Sequence, residues 1–260
     1  MRILMVGDIV GRPGRNCIRD MLPKIKENYQ VDFVVANGEN AAGGHGLTRK
    51  TSDELFSYEI DVLTMGNHVW DKKEIFNFID AEERIVRPAN YPPGTPGRGF
   101  NVFTVNSCKI AVLNLSGRVF MSDLDCPFRK ADEAIEELNK LSDFIILDFH
   151  AEATSEKIAM SFYLDGKVAA IIGTHTHVQT ADEKISQEGT AYLTDVGMTG
   201  PINSILGMES ETIVKKIVTK LPAKFEVASG DAQFNAILID IDDKSGKAEN
   251  VERIQEHHNF

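Results

Sequence analysis

Short, mainly apolar runs recur along the chain at Ile3 to Val6, Phe33 to Ala36, Val62 to Met65, Ile110 to Leu115, Phe144 to Phe149 and Ala169 to Ile172. They lack the alternation of half-exposed strands, so they read as strands buried on both faces, with covering layers on either side. Between several of them lie segments with helical spacing: Ser52 to Tyr58, Lys72 to Ile79, and Lys130 to Leu141, where Ala131, Ala134, Ile135, Leu138 and Leu141 share a face. Strand and helix alternate, which predicts an α/β fold. Phe100 to Val105 and Lys109 to Leu115 bracket Asn106-Ser107 as in a β-hairpin, so antiparallel strands are mixed in. Near the C-terminus, Lys224 to Val227 and Asn235 to Ile241 read as strands, and the chain from Val251 reads as a tail that frays into His257-His258-Asn259-Phe260. No shift of composition marks a boundary, and 260 residues suit one large α/β unit, so a single domain over residues 1–260 is expected.

Chemistry-bearing residues stand where the apolar runs end. Asp8 follows the first, Glu39-Asn40 the second, Asn67-His68 the third; His150 closes a later run, and His175 and His177 follow the last. Ligands of open α/β sheets bind beyond the carboxyl ends of the strands, so five segments are expected to deliver these groups to one edge. Carboxylates, amides and imidazoles without thiolates form a ligand set suited to Mn, Fe or Zn, unlike a structural zinc site. Two such ions can clamp a phosphoryl group and deliver a hydroxide in line with the leaving oxygen.

Each residue alone has an ordinary explanation. Asp8, Glu39, Asn40 and Asn67 are common turn and cap types, and a lone His150 is more often a satisfied core histidine. His175 and His177, spaced i and i+2, share a face if they lie on a strand. The joint pattern carries the inference. Gly7, Gly11 and Gly14 have the wrong spacing for a dinucleotide loop. Gly43-Gly44-His45-Gly46 reads as a plain turn with His45 exposed, and Asp195 either orients a histidine or caps a turn.

Charge narrows the classes of partner. The net charge is -11, with no run of basic residues, which argues against a sequence-independent grip on nucleic acid, against sequence-specific nucleic-acid binding and against adhesion to anionic membranes, but does not exclude nucleotides. The apolar stretch at Ile3 to Val6 is too short for a signal core or a membrane span, and three cysteines without a C-x-x-C pair suit a reducing compartment. A cytoplasmic location is expected.

Gly7-Asp8, Gly38-Glu39-Asn40, Gly66-Asn67-His68, His150 and Gly173-Thr174-His175-Thr176-His177 resemble the signature blocks of the calcineurin-like metallophosphoesterases. More narrowly, Gly38 to Ala42, Met65 to Asp71, Asp148 to Thr154 and Thr194 to Pro201 resemble the bacterial YmdB-type phosphodiesterases. Val10 stands where most of the superfamily has a histidine and Glu39 where it has a second aspartate, changes that the YmdB-type proteins share.

The resemblance implies a four-layer αββα sandwich of mixed sheets flanked by helices. It implies one metal held by Asp8, Glu39, Asn40 and His177, with Asn40 replacing the missing histidine. The second takes Glu39 as a bridge together with Asn67, His150 and His175. Iron is the implied metal and manganese its substitute. His68 is implied as proton donor to the leaving oxygen, with a purely substrate-orienting imidazole as the alternative that the sequence does not separate from it.

The implied reaction is hydrolysis of nucleoside 2',3'-cyclic phosphates to 3'-phosphates by a metal-bridging hydroxide, and the implied partners are a small phosphodiester and a second copy of the chain. The competing readings are a 3',5'-cyclic nucleotide phosphodiesterase, a phosphomonoesterase, and a metal-dependent nucleotide-binding regulator.

Overall fold

A computed structural model describes residues 1–259. In chain order it contains β1 (Arg2–Val6), β2 (Asp8–Ile9), α1 (Gly11–Tyr29), β3 (Phe33–Asn37), α2 (Arg49–Ser57), β4 (Val62–Thr64) and β5 (Ile85–Val86). The hairpin β6 (Phe100–Val105) and β7 (Cys108–Ser116) follows, then α3 (Pro127–Leu138), β8 (Phe144–His150), α4 (Thr154–Tyr163) and β9 (Ala170–Thr174). The chain ends with β10 (Lys184–Ile185), β11 (Ala191–Leu193), β12 (Met198–Pro201), α5 (Ser210–Thr219), β13 (Ala232–Ile241) and β14 (Ala248–His258).

Two sheets result. In the first, β1, β3, β4 and β5 are parallel neighbours, β13 adds an antiparallel strand beside β1, and β14 an antiparallel strand beside β13. Short β12 and β2 extend this sheet from the start of β13. The second has the order β10-β11-β9-β8-β7-β6, with four parallel strands between antiparallel edges.

Successive side chains on a strand point to opposite faces, and here both faces are buried. Ile3 and Met5 of β1 pack with Val35, Val112, Ile146 and Ile172 in a core between the two sheets. Leu4 and Val6 face the other way, against Ile18, Leu22 and Ile25 of α1. The second sheet turns Leu113, Ile145 and Leu147 towards Ala131, Ala134 and Leu138 of α3 and Met160 of α4. Three cores therefore separate four layers, helix, sheet, sheet and helix. Each buried aliphatic side chain contributes roughly 1.5–3 kcal/mol of transfer free energy, so burial on both faces explains why the runs are continuous rather than alternating.

Some sequence expectations change. Lys72 to Ile79 forms only a 3-10 turn over Lys73–Asn77, because Ile75, Phe76, Asn77, Phe78 and Ile79 are modest helix formers in a segment confined between two turns. The third helix starts at Pro127, which suits a first helical position where no N–H is needed, and ends at Leu138. Lys224 to Val227 is no strand: Val227 makes one isolated bridge, to Met208 in the loop before α5. The segment from Val251 does not fray but belongs to β14, paired with β13 from Ala248 to His258. Its ladder hydrogen bonds substitute for the missing apolar pattern, and the exposed Glu252 and Glu256 suit a sheet edge. Among the described residues, no helix is long and apolar enough to cross a membrane.

Candidate metal centre

Asp8, Glu39, Asn40, Asn67, His68, His150, His175 and His177 all emerge beyond, or at, the carboxyl ends of β1, β3, β4, β8 and β9, and the side chains of all but His68 meet where the two sheets adjoin. The first sheet supplies Asp8 to His68 and the second supplies the three remaining histidines. His175 and His177 do not lie on a strand as their spacing suggested. They follow β9 with φ of 102° and 65°, so the chain turns sharply and brings both rings back over the strand ends.

One group surrounds His150 Nε2. Glu39 Oε1 lies 3.0 Å from it, Asn67 Oδ1 3.0 Å and His175 Nδ1 3.1 Å. A second group surrounds His177 Nε2, with the Asn40 amide at 3.1 Å and Asp8 Oδ1 at 3.6 Å. Asn40 also approaches Glu39 Oε1 at 3.5 Å, which ties the two groups together. Asp8, Glu39 and His150 are essentially inaccessible to solvent.

Neighbours of the outer ring nitrogens fix the histidine tautomers. Thr174 Oγ1 donates to Asp148 Oδ1 at 2.7 Å, so the 2.9 Å contact with His150 has Nδ1–H donating to Thr174. His175 Nε2 lies 3.0 Å from the Glu152 carboxylate, and His177 Nδ1 lies 3.1 Å from the Leu206 carbonyl, so both donate outward. Such outer-shell acceptors orient metal-binding histidines and raise their basicity. The inner nitrogens are left with lone pairs. With both rings neutral, two imidazole lone pairs, a carboxylate oxygen and an amide oxygen converge at His150, an arrangement that calls for a positive charge, either a proton on Nε2 or a cation among the four atoms.

The pKa shifts express the same demand. Burial alone would lower His150, but the Glu39 carboxylate beside it pushes it up to about 9. Burial opposes the ionisation of Asp8, yet the hydrogen bond and charge of His177 hold that carboxyl well below the ordinary range. Glu39 is likewise lowered, by His150 against burial. His175 is lowered by burial and by the neighbouring His150. Burial pushes Asp148 up to about 6, still ionised at neutral pH and able to accept from Thr174.

His68 sits at the rim, its side chain 38% exposed. Its backbone N–H donates to Glu39 Oε2 at 3.0 Å, and its Nδ1 lies 2.8 Å from the Asp71 carboxylate. His45 is exposed as expected, and its ring centroid stands 6.4 Å from that of His68, so the turn of residues 43–46 borders the site. Gly66 shows how tight the packing is: a Cβ there would stand 2.3 Å from His150 Nε2 and 2.4 Å from Glu39 Oε2.

Asp195 touches no histidine. It accepts from Lys157 Nζ at 2.7 Å and from the Thr176 and Gly197 N–H groups, and Lys157 also donates to the Thr174 carbonyl. This buried ion pair fixes the loop carrying His175 and His177 from below. Glu152, Asp71, Asp148 and Thr174 were not singled out from the sequence for these contacts. Glu152 lies two residues beyond His150, and Asp71 three beyond His68, which places both in blocks already conspicuous for their wording.

The family described as YmdB-like protein matches residues 4–254. A relative from Bacillus subtilis named 2',3'-cyclic-nucleotide 2'-phosphodiesterase is 54% identical, with 98% of this chain and 96% of that protein aligned. A structure described as a novel phosphatase of Mycoplasma pneumoniae superposes with a TM-score of 0.95 at 36% identity, covering 100% of this chain and 94% of that one. A hypothetical protein from Thermus thermophilus superposes with a TM-score of 0.94 at 42% identity, covering 99% and 100%. Over almost its whole length, the chain thus belongs to the YmdB-like family.

Proposed function

We propose that this protein is a metal-dependent 2',3'-cyclic-nucleotide 2'-phosphodiesterase, which opens the cyclic diester at the 2' oxygen and leaves a 3'-phosphate. The convergence of electron-pair donors on His150 Nε2 carries the reading, since a cation satisfies all four atoms where a proton satisfies one. One ligand atom each from Glu39, His150 and His175 lies within 4.8 Å of the others. Glu39, Asn67, His150 and His175 would hold one ion; Asp8, Glu39, Asn40 and His177 would hold the other, with Glu39 common to both. The donors are nitrogen and oxygen only, which fits iron, with manganese as substitute. Bound there, the cations polarise phosphoryl oxygens and lower the pKa of water.

The chain's own residues supply the remainder. Asp71 holds His68 Nδ1 and orients the ring, which leaves Nε2 to serve the leaving 2' oxygen as proton donor. Glu152, Thr174 and the Leu206 carbonyl accept from the outer ring nitrogens of His175, His150 and His177, which aims the three inner nitrogens at the centre. Burial of Asp8 and Glu39 removes competing water and strengthens every charge interaction at phosphorus.

Product analysis tests the reading. The protein loaded with iron or manganese is expected to convert 2',3'-cyclic AMP to 3'-AMP. Formation of 2'-AMP would reverse the assignment of the leaving oxygen. Turnover of 3',5'-cyclic AMP or a phosphomonoester in its place would move the activity to another ester, and binding without turnover would favour a nucleotide-dependent regulator.

Stability should also depend on the cation. In the metal-free protein His150 has its pKa raised to about 9 from an ordinary 6.5, so protonation stabilises the fold fully below pH 6.5. That contribution is lost as pH rises through about 9. The thermal midpoint of chelated protein should therefore fall between pH 6.5 and 9, while that of metal-loaded protein, in which the cation takes the proton's place, should fall less. Parallel decline of the two forms would remove the cation from this position.

A further inference from the structure

We propose that Phe120 is the platform on which the substrate's nucleobase stacks, an inference that rests on the phosphodiesterase reading. β7 runs parallel to β8, and its last residue, Ser116, lies beside His150. The loop that follows therefore rises from the same sheet edge as the candidate metal centre, one strand away, and Gly117 N–H donates to the His150 carbonyl at 2.9 Å.

This loop is built to hold its shape. Asn90, fully buried, pins its neck: Nδ2 donates to the carbonyls of Ser116 and Asp125 at 2.8 and 2.9 Å, and Oδ1 accepts from Ser116 N–H at 2.9 Å. Glu156 braces the rising limb, its carboxylate accepting from the N–H groups of Arg118 at 3.1 Å and Val119 at 3.2 Å. Arg118 to Met121 then form a turn closed by Met121 N–H to the Arg118 carbonyl at 3.2 Å.

At the third position of that turn stands Phe120, with φ of 62° and 89% of its surface exposed. Positive φ is rare for a bulky side chain, and a phenyl ring held in water adds nothing to the core. A residue that breaks both local rules on a rigid support beside a catalytic edge is explained by a ligand. Phe120 and Val119 are the exposed apolar residues of this turn, and their chain neighbours Arg118, Ser122 and Asp123 are exposed and polar, so the apolar surface is far smaller than the centre of a protein interface. A base suits it: the base projects from the ribose on the side away from the cyclic phosphate, several ångströms from phosphorus, and base faces stack on phenyl rings irrespective of sequence.

The test compares 2',3'-cyclic AMP with glycerol 1,2-cyclic phosphate, which has the same strained ester and no base. Phe120→Ala is expected to lower the ratio of kcat/KM for the nucleotide over that for the glycerol ester about tenfold, through KM of the nucleotide, and Phe120→Trp to restore it. Phe120→Gly relieves the backbone and removes the ring, so it should behave like Phe120→Ala. An unchanged ratio in Phe120→Ala and Phe120→Gly, or equal losses on both esters, overturns the stacking role while wild-type turnover keeps the phosphodiesterase reading intact. Failure of the wild type on both esters removes that reading and the base platform with it.

Discussion

Glu39→Gln should reduce hydrolysis of 2',3'-cyclic AMP to background and weaken retention of both metal ions. The substitution preserves volume and most contacts, so the effect isolates charge. Glu39 Oε1 approaches His150 Nε2 at 3.0 Å and the Asn40 amide at 3.5 Å, while Oε2 accepts from the His68 N–H at 3.0 Å. One carboxylate thus belongs to both groups of donors and also positions the residue proposed as proton donor. A neutral amide keeps the shape but halves the anionic charge that Asp8 and Glu39 together offer to the cations. Metal analysis after desalting and product formation should fall together. Full activity in the variant, or loss of activity with both metals retained, would refute the bridging assignment.

Gly66→Ala should lower kcat/KM on the order of a hundredfold, although it adds one methyl group in a loop. The new Cβ would stand 2.3 Å from His150 Cδ2 and Nε2 and 2.4 Å from Glu39 Oε2, and neither residue has room to retreat. His150 is held from behind by Thr174, and Glu39 by the His68 N–H. The methyl group therefore displaces either the loop carrying Asn67 and His68 or the donors around His150. Metal affinity and turnover report this directly. Wild-type values for both would mean that the loop shifts without disturbing the donors, and that the tight packing has no part in the chemistry.

Much of the architecture was legible because each parallel strand is buried on both faces and so is written as an apolar run. The convergence of Asp8, Glu39, Asn67, His150 and His175 was legible for a related reason: parallel strands point their carboxyl ends one way, so residues after each run must meet. Illegible parts obey other physics. β14 is held by its backbone ladder with β13, and polar side chains on an edge strand leave no periodicity to read. Glu152, Asp148 and Thr174 act through contacts between chain segments, and Asp148 is an ordinary carboxylate in sequence until burial and the Thr174 hydroxyl define it. Lys157 looks like a solvated helix residue, yet the fold turns it inward to Asp195 and the Thr174 carbonyl. The positive φ of His175 and His177 reflects where the chain must go next, which the i, i+2 spacing does not encode.

The two halves of the centre hang from different sheets, and no covalent link near the site sets how far apart they stand. Between the sheets lie Ile3, Met5, Val35, Val112, Ile146 and Ile172, a slab of aliphatic side chains that fixes the gap at about 10 Å, as face-to-face sheets require. Their combined thickness is the gauge block against which the donor spacing is cut. Selection on catalysis would then act on methylene groups deep in the sandwich, where a change of volume reads out as a change in the span between Asp8 and His150.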